Sequence, residues 1–141
     1  MRRYVTLVIA LLSFLHLPAQ VPTPDQFLGY TLGTQFTPHY KVVEYFKLVA
    51  TSTKNVKVEQ YGTTYEGRPL ITATVTSPEN FARLDEIRRN SIQMSNAGGN
   101  AGANQPVIVW LSYNVHGNEA VSTEAAMKTL YELVNKANTQ T

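Results

Sequence analysis

His116 and Glu119 stand three positions apart in Asn114-Val115-His116-Gly117-Asn118-Glu119, between an apolar run and a segment of helical period. An imidazole and a carboxylate at that spacing, carried across a strand-to-helix turn, can point to one side and meet at one cation. Zinc (Zn2+) accepts both donors at roughly 2.0 to 2.2 Å. Gly117 between them permits backbone angles that a side chain would forbid. Asn118 can cap the helix that follows, and Glu119 in its first turn is favoured by the helix dipole even without metal. With three histidines in the chain, a His-x-x-Glu tetrapeptide arises by chance in about one such chain in six. Its position therefore carries the argument, because ligands of open α/β sheets bind in the crevice at the carboxyl ends of strands.

Two ligands are an incomplete catalytic zinc site, which as a rule has three protein ligands, a water and a nearby general base. His39 falls in the first turn of a helix beside Tyr40 and reads as a surface or half-buried helix residue. Glu66 and Glu124 are available carboxylates, read more simply as a turn residue and an exposed helix residue. The chain has no cysteine, so disulfides and thiolate ligands are excluded and any metal is held by nitrogen and oxygen.

The elements that position the pair follow from periodicity. Residues 20–36, rich in Pro, Gly and Thr, predict an extended lead-in segment. Thr37-Pro38 reads as a cap followed by proline at the first helical position, with Val42, Phe46, Val49 and Ala50 on one face of a helix over about 38–51. Asn55–Tyr61 and Pro69–Thr76 predict two strands joined by Gly62-Thr63-Thr64-Tyr65-Glu66-Gly67-Arg68. In that turn the arginine stem is expected to be buried. Ser77-Pro78 starts an amphipathic helix to about Met94, and the Gly- and Asn-rich stretch 96–104 predicts a surface loop. Pro106–Tyr113 is a nearly continuous apolar run, expected to be a central strand covered on both faces. A last helix over about 119–135 has Ala126, Leu130, Leu133 and Val134 as its apolar stripe. This order predicts an α/β layered domain.

Arg2 and Arg3 ahead of the apolar run Tyr4–Leu17, closed by Pro18-Ala19, have the layout of a signal peptide over residues 1–19. The run is shorter than the roughly 20 apolar residues of a spanning helix. Stable membrane insertion is therefore not expected, and the chain is expected to be exported, to the periplasm or the exterior. The formal charge of +2 includes those two arginines; the remaining charges are interspersed, which speaks against nucleic-acid binding.

Two blocks, Tyr61-Gly62-Thr63-Thr64-Tyr65-Glu66-Gly67-Arg68-Pro69-Leu70 and Val109-Trp110-Leu111-Ser112-Tyr113-Asn114-Val115-His116-Gly117-Asn118-Glu119, together resemble the zinc carboxypeptidase family, the carboxypeptidase A/B-like metallopeptidases. The first is similar to that family's Ser/Thr-x-Glu-Gly-Arg-Pro stretch and the second to its strand ending in His-x-x-Glu. The similarity spans about 37–135, and residues 37–141 are read as the N-terminal part of the catalytic domain. The resemblance implies a partial α/β/α sandwich with a mixed, largely parallel sheet. It implies zinc ligation by His116 and Glu119, with a third histidine, substrate-binding arginines and the general base lying beyond Thr141. The implied reaction is metal-assisted hydrolysis of the C-terminal bond of a peptide or protein. Asn118 departs from pancreatic-type members, which often have arginine there, and the helix and loop between the two blocks lengthen the spacer. Two alternatives share these features: an N-acyl amino acid deacylase of related metal-site layout, and an exported binding module without catalysis.

Overall fold

The computed structural model describes residues 20–96, 104–135, 137 and 138. The leader expected over 1–19 and most of the Gly/Asn loop lie outside the described residues. Among the described residues seven elements follow in order: α1 (Pro24–Leu28), α2 (His39–Ser52), β1 (Val56–Thr63), β2 (Pro69–Val75), α3 (Pro78–Phe81), α4 (Leu84–Ser95) and α5 (Ala120–Val134).

The lead-in segment is not wholly extended, because Thr23-Pro24-Asp25-Gln26 builds a capping box. The Thr23 hydroxyl accepts from the Gln26 amide at 3.1 Å and the Gln26 side chain accepts from the Thr23 amide at 2.9 Å. Proline opens the helix, and Gly29 ends it in the left-handed region at φ 79°. This short helix brings Phe27 against Tyr45 of α2, with ring centroids 5.2 Å apart. α2 itself begins one residue later than predicted. Pro38 takes the cap position without a side-chain cap bond, because the Thr37 hydroxyl is directed to Glu124 instead, at 2.7 Å.

β1 and β2 form the predicted antiparallel hairpin, in register from Val56↔Val75 to Thr63↔Pro69. Tyr61 is the extra residue of a bulge between Gln60↔Ile71 and Gly62↔Leu70. Gly67 closes the turn at φ 77°, a backbone angle costly for residues with a Cβ, and its amide donates to the Thr64 carbonyl at 2.9 Å. Arg68 does not bury its stem. It lies exposed, paired to the equally exposed Glu66 at 2.8 Å, a contact of small energetic weight. The Ser77 cap is present, accepting from the Asn80 amide at 3.3 Å, but the predicted single helix is broken at Arg83 into α3 and α4.

The predicted α/β/α sandwich with a mixed, largely parallel sheet is not formed. The only sheet among the described residues is the two-stranded hairpin, and Pro106–Tyr113 is neither a strand nor covered. A strand exists only through its partner, and no described segment pairs with this run. Its apolar composition cannot substitute for a neighbouring ladder. The core instead lies between helices and hairpin: Tyr45 and Val49 of α2, Val56 of β1, and Met127 and Leu130 of α5, with Phe27, Phe46, Ala73 and Val75 packed around them.

Tyr45 is fully buried and donates to the Pro22 carbonyl at 2.9 Å. Burial pushes its phenol above the ordinary range, and Tyr131 adds a smaller push in the same direction. The unfolded phenol ionises near about pH 10 and the folded one higher. Its contribution to stability is thus complete below pH ~10 and is lost as pH rises above that, by at most about 1.4 kcal/mol per pH unit. Tyr45→Phe is expected to flatten this alkaline slope while costing about 1 kcal/mol at neutral pH through the lost hydrogen bond. Urea unfolding of both proteins between about pH 9 and 12 checks it, and identical slopes would contradict the assignment.

Candidate functional site

The unpaired apolar run leads into the His116–Glu119 turn, and two side chains on it are fastened to α5. The Tyr113 hydroxyl donates to Thr129 at 2.9 Å, and the Thr123 hydroxyl donates to the Asn114 side-chain oxygen at 3.1 Å. Asn114 has φ 53°, the one non-glycine residue with positive φ among the described residues. Asparagine tolerates this region better than most residues, and here its side chain is held by the helix it precedes. The chain then turns tightly, the Glu119 amide donating to the His116 carbonyl at 3.1 Å, and Glu119 occupies the N-cap position of α5. Asn118 is therefore not the cap, and α5 has no side-chain cap bond.

This turn brings the two predicted ligands together. His116 Nδ1 lies 3.0 Å from Glu119 Oε1, with the side chains 71% and 49% exposed. An ionised carboxylate can only accept, so Nδ1 carries the proton in this contact. Two donors bound at roughly 2.1 Å to a tetrahedral ion are about 3.4 Å apart, close to the 3.0 Å separation of this pair. In donor type and spacing the residues fit two of the positions around zinc. No group of three or more His, Cys, Asp or Glu able to hold a metal occurs among the described residues. His39 is half-buried at the start of α2, and Glu66 is committed to Arg68.

The expected crevice at the end of a covered strand is replaced by an exposed turn. Gly117 is not in the left-handed region, and a Cβ there would meet nothing within 4 Å; the unusual backbone belongs to Asn114. Accordingly, Gly117→Ala is expected to change stability by less than about 0.5 kcal/mol. Asn114→Val should lose about 1–3 kcal/mol, from the left-handed backbone and the bond to Thr123. Thermal melts of the two variants decide, and equal melting temperatures would refute this account of the turn.

Glu124 is the residue sequence reasoning misplaced. It is not exposed but 7% accessible, and accepts hydrogen bonds from the Thr37 hydroxyl and the Gly33 amide. Its spacing from Met127 and Leu130 on α5 is the signal that it shares their face.

Among the described residues, no helix is long and apolar enough to cross a membrane. No curated protein and no solved structure matches the chain. A family model does: zinc carboxypeptidase, over residues 42–141, a span that includes the hairpin, the apolar run and the His116–Glu119 turn. With well over half of its length matched, and with the imidazole and carboxylate of that span in contact, the chain belongs to the zinc carboxypeptidase family.

Proposed function

We propose that this chain builds one side of a zinc carboxypeptidase site that releases C-terminal residues from peptides, with His116 and Glu119 as metal ligands. The observation that supports this reading is the 3.0 Å approach of His116 Nδ1 to Glu119 Oε1 in a chain of that family. Zinc held there by His116 and Glu119 would supply Lewis acidity. The chain's own part is to orient the two donors: Asn114 fixes the turn against Thr123, and α5 carries Glu119 at its N-cap. The remaining ligand and the general base belong to residues outside those described here, so the described part contributes a half-site.

The test is zinc binding, by competition with a chromophoric chelator, to the full chain and to His116→Ala and Glu119→Ala. The expected result is one weak site, lost in both variants. Equal zinc affinity in all three proteins would sink the ligand assignment. Tight stoichiometric zinc, lost in both variants, would instead require a third ligand within the chain and would end the half-site reading.

A further inference from the structure

The lead-in segment makes a connection to the site helix that the family match does not include. Tyr30, Gly33 and Thr37 all precede residue 42, where the match begins. Yet two of them donate hydrogen bonds to Glu124, a carboxylate inside the matched span: Thr37 Oγ1 donates to Oε1 at 2.7 Å, and the Gly33 amide donates to Oε2. The Tyr30 hydroxyl lies 2.7 Å from Thr37 Oγ1 and completes the chain of contacts. As Thr37 has given its proton to Glu124, Tyr30 is the donor in that second bond. Thr37 is 1% accessible and Glu124 7%, so the bond between them is made out of water, where a lost partner leaves a costly unsatisfied group, while the bonds from Gly33 and Tyr30 are partly buried.

Glu124 sits next to Thr123, which holds Asn114, and both lie in the early turns of the helix whose N-cap is Glu119. Adjacent residues on a helix point about 100° apart. The beginning of α5 is thus gripped from two directions, by the turn through Thr123 and by the lead-in segment through Glu124.

We propose that Glu124 is a positioning residue and that residues 30–37 form a strap which, through Thr37 and Gly33, fixes α5 and so sets the approach of Glu119 to His116. The proposal rests on the metal-ligand reading above for its zinc readout, but not for its structural one.

The experiment uses the full chain as wild type, Glu124→Gln, Thr37→Val and Thr37→Ser. Three quantities are read: amide exchange over 121–126, the His116 ring NMR signal without metal, and zinc affinity. Gln keeps the shape of Glu but presents an N–H to one of the two donors, and Val removes the hydroxyl at nearly constant volume. For both, exchange should be at least tenfold faster, the His116 signal should move, and zinc should bind at least tenfold more weakly. Thr37→Ser, which keeps the hydroxyl, should stay within twofold of wild type in exchange and affinity. If Glu124→Gln fails to fold, Thr37→Val against Thr37→Ser decides. Faster exchange with an unmoved His116 signal would reduce the strap to a purely structural contact and overturn the proposal, as would no change in any variant. Should wild type bind no zinc, the metal-ligand reading falls alone, and the His116 signal still judges the strap.

Discussion

Replacing Met127 with alanine is expected to lower folding stability by about 2–5 kcal/mol, against a total of about 5–15 kcal/mol for a domain of ordinary stability. Met127 is fully buried and meets Tyr45, Val49, Val56 and Leu130 in the core. Truncation removes its transfer free energy and leaves a cavity that helix, helix and hairpin cannot all close at once. The effect is large because, among the described residues, no strand covers the N-terminal side of α5. What keeps it on the domain is this apolar contact with α2, together with the Glu124 bonds. Leu133→Ala on the same helix is the control, since Leu133 is already exposed and its truncation should cost well under 1 kcal/mol. Chemical denaturation of the three proteins measures both, and equal losses at 127 and 133 would mean that α5 does not pack as described.

Local patterning made much of this legible, and the misreadings share a physical cause. The hairpin, α2, the Ser77 cap and α5 are each encoded by residues within a few positions of one another, through alternation, helical period or a cap. So is the contact between His116 and Glu119, which needs only a tight turn between them. α1 was equally legible: Thr23-Pro24-Asp25-Gln26 is a capping-box sequence, obscured by reading the segment through its Pro and Gly content. The face of α5 that Glu124 shares was legible from its spacing to Met127 and Leu130, but its partners were not, because Gly33 and Thr37 are 91 and 87 residues away and no local pattern encodes such a meeting. Pro106–Tyr113 failed for the complementary reason. Apolar β-branched composition records a preference for a covered ladder, whereas a ladder depends on a second strand.

That same run gives the last expected result: the chain should self-associate at about micromolar concentration, and Val109→Lys with Leu111→Lys should abolish it. Val107 is 89% and Trp110 76% accessible, with Ile108, Val109 and Leu111 also exposed. Backbone groups of residues 107–112 make no hydrogen bond to other described residues. No Asp, Glu, Lys or Arg occurs from Asn90 to Asn118, so two copies can align this run without bringing like charges together, and no gatekeeping charge interrupts it. Such a segment, apolar, β-prone and unpaired, is a template for strand addition. Lysines at 109 and 111 would place like charges opposite or diagonal to one another in a paired copy, which opposes association. Because both positions are exposed, the exchange should cost the monomer less than about 0.5 kcal/mol. Sedimentation over a range of concentrations checks the pair. A monomeric parent with a sharp cooperative melt, or a double variant that associates like the parent, would overturn the role given to this run. The double variant also separates two consequences of the same exposure. If the His116–Glu119 turn is set by Asn114, Thr123 and Glu124 rather than by pairing of the run before it, zinc binding should survive in the monomer.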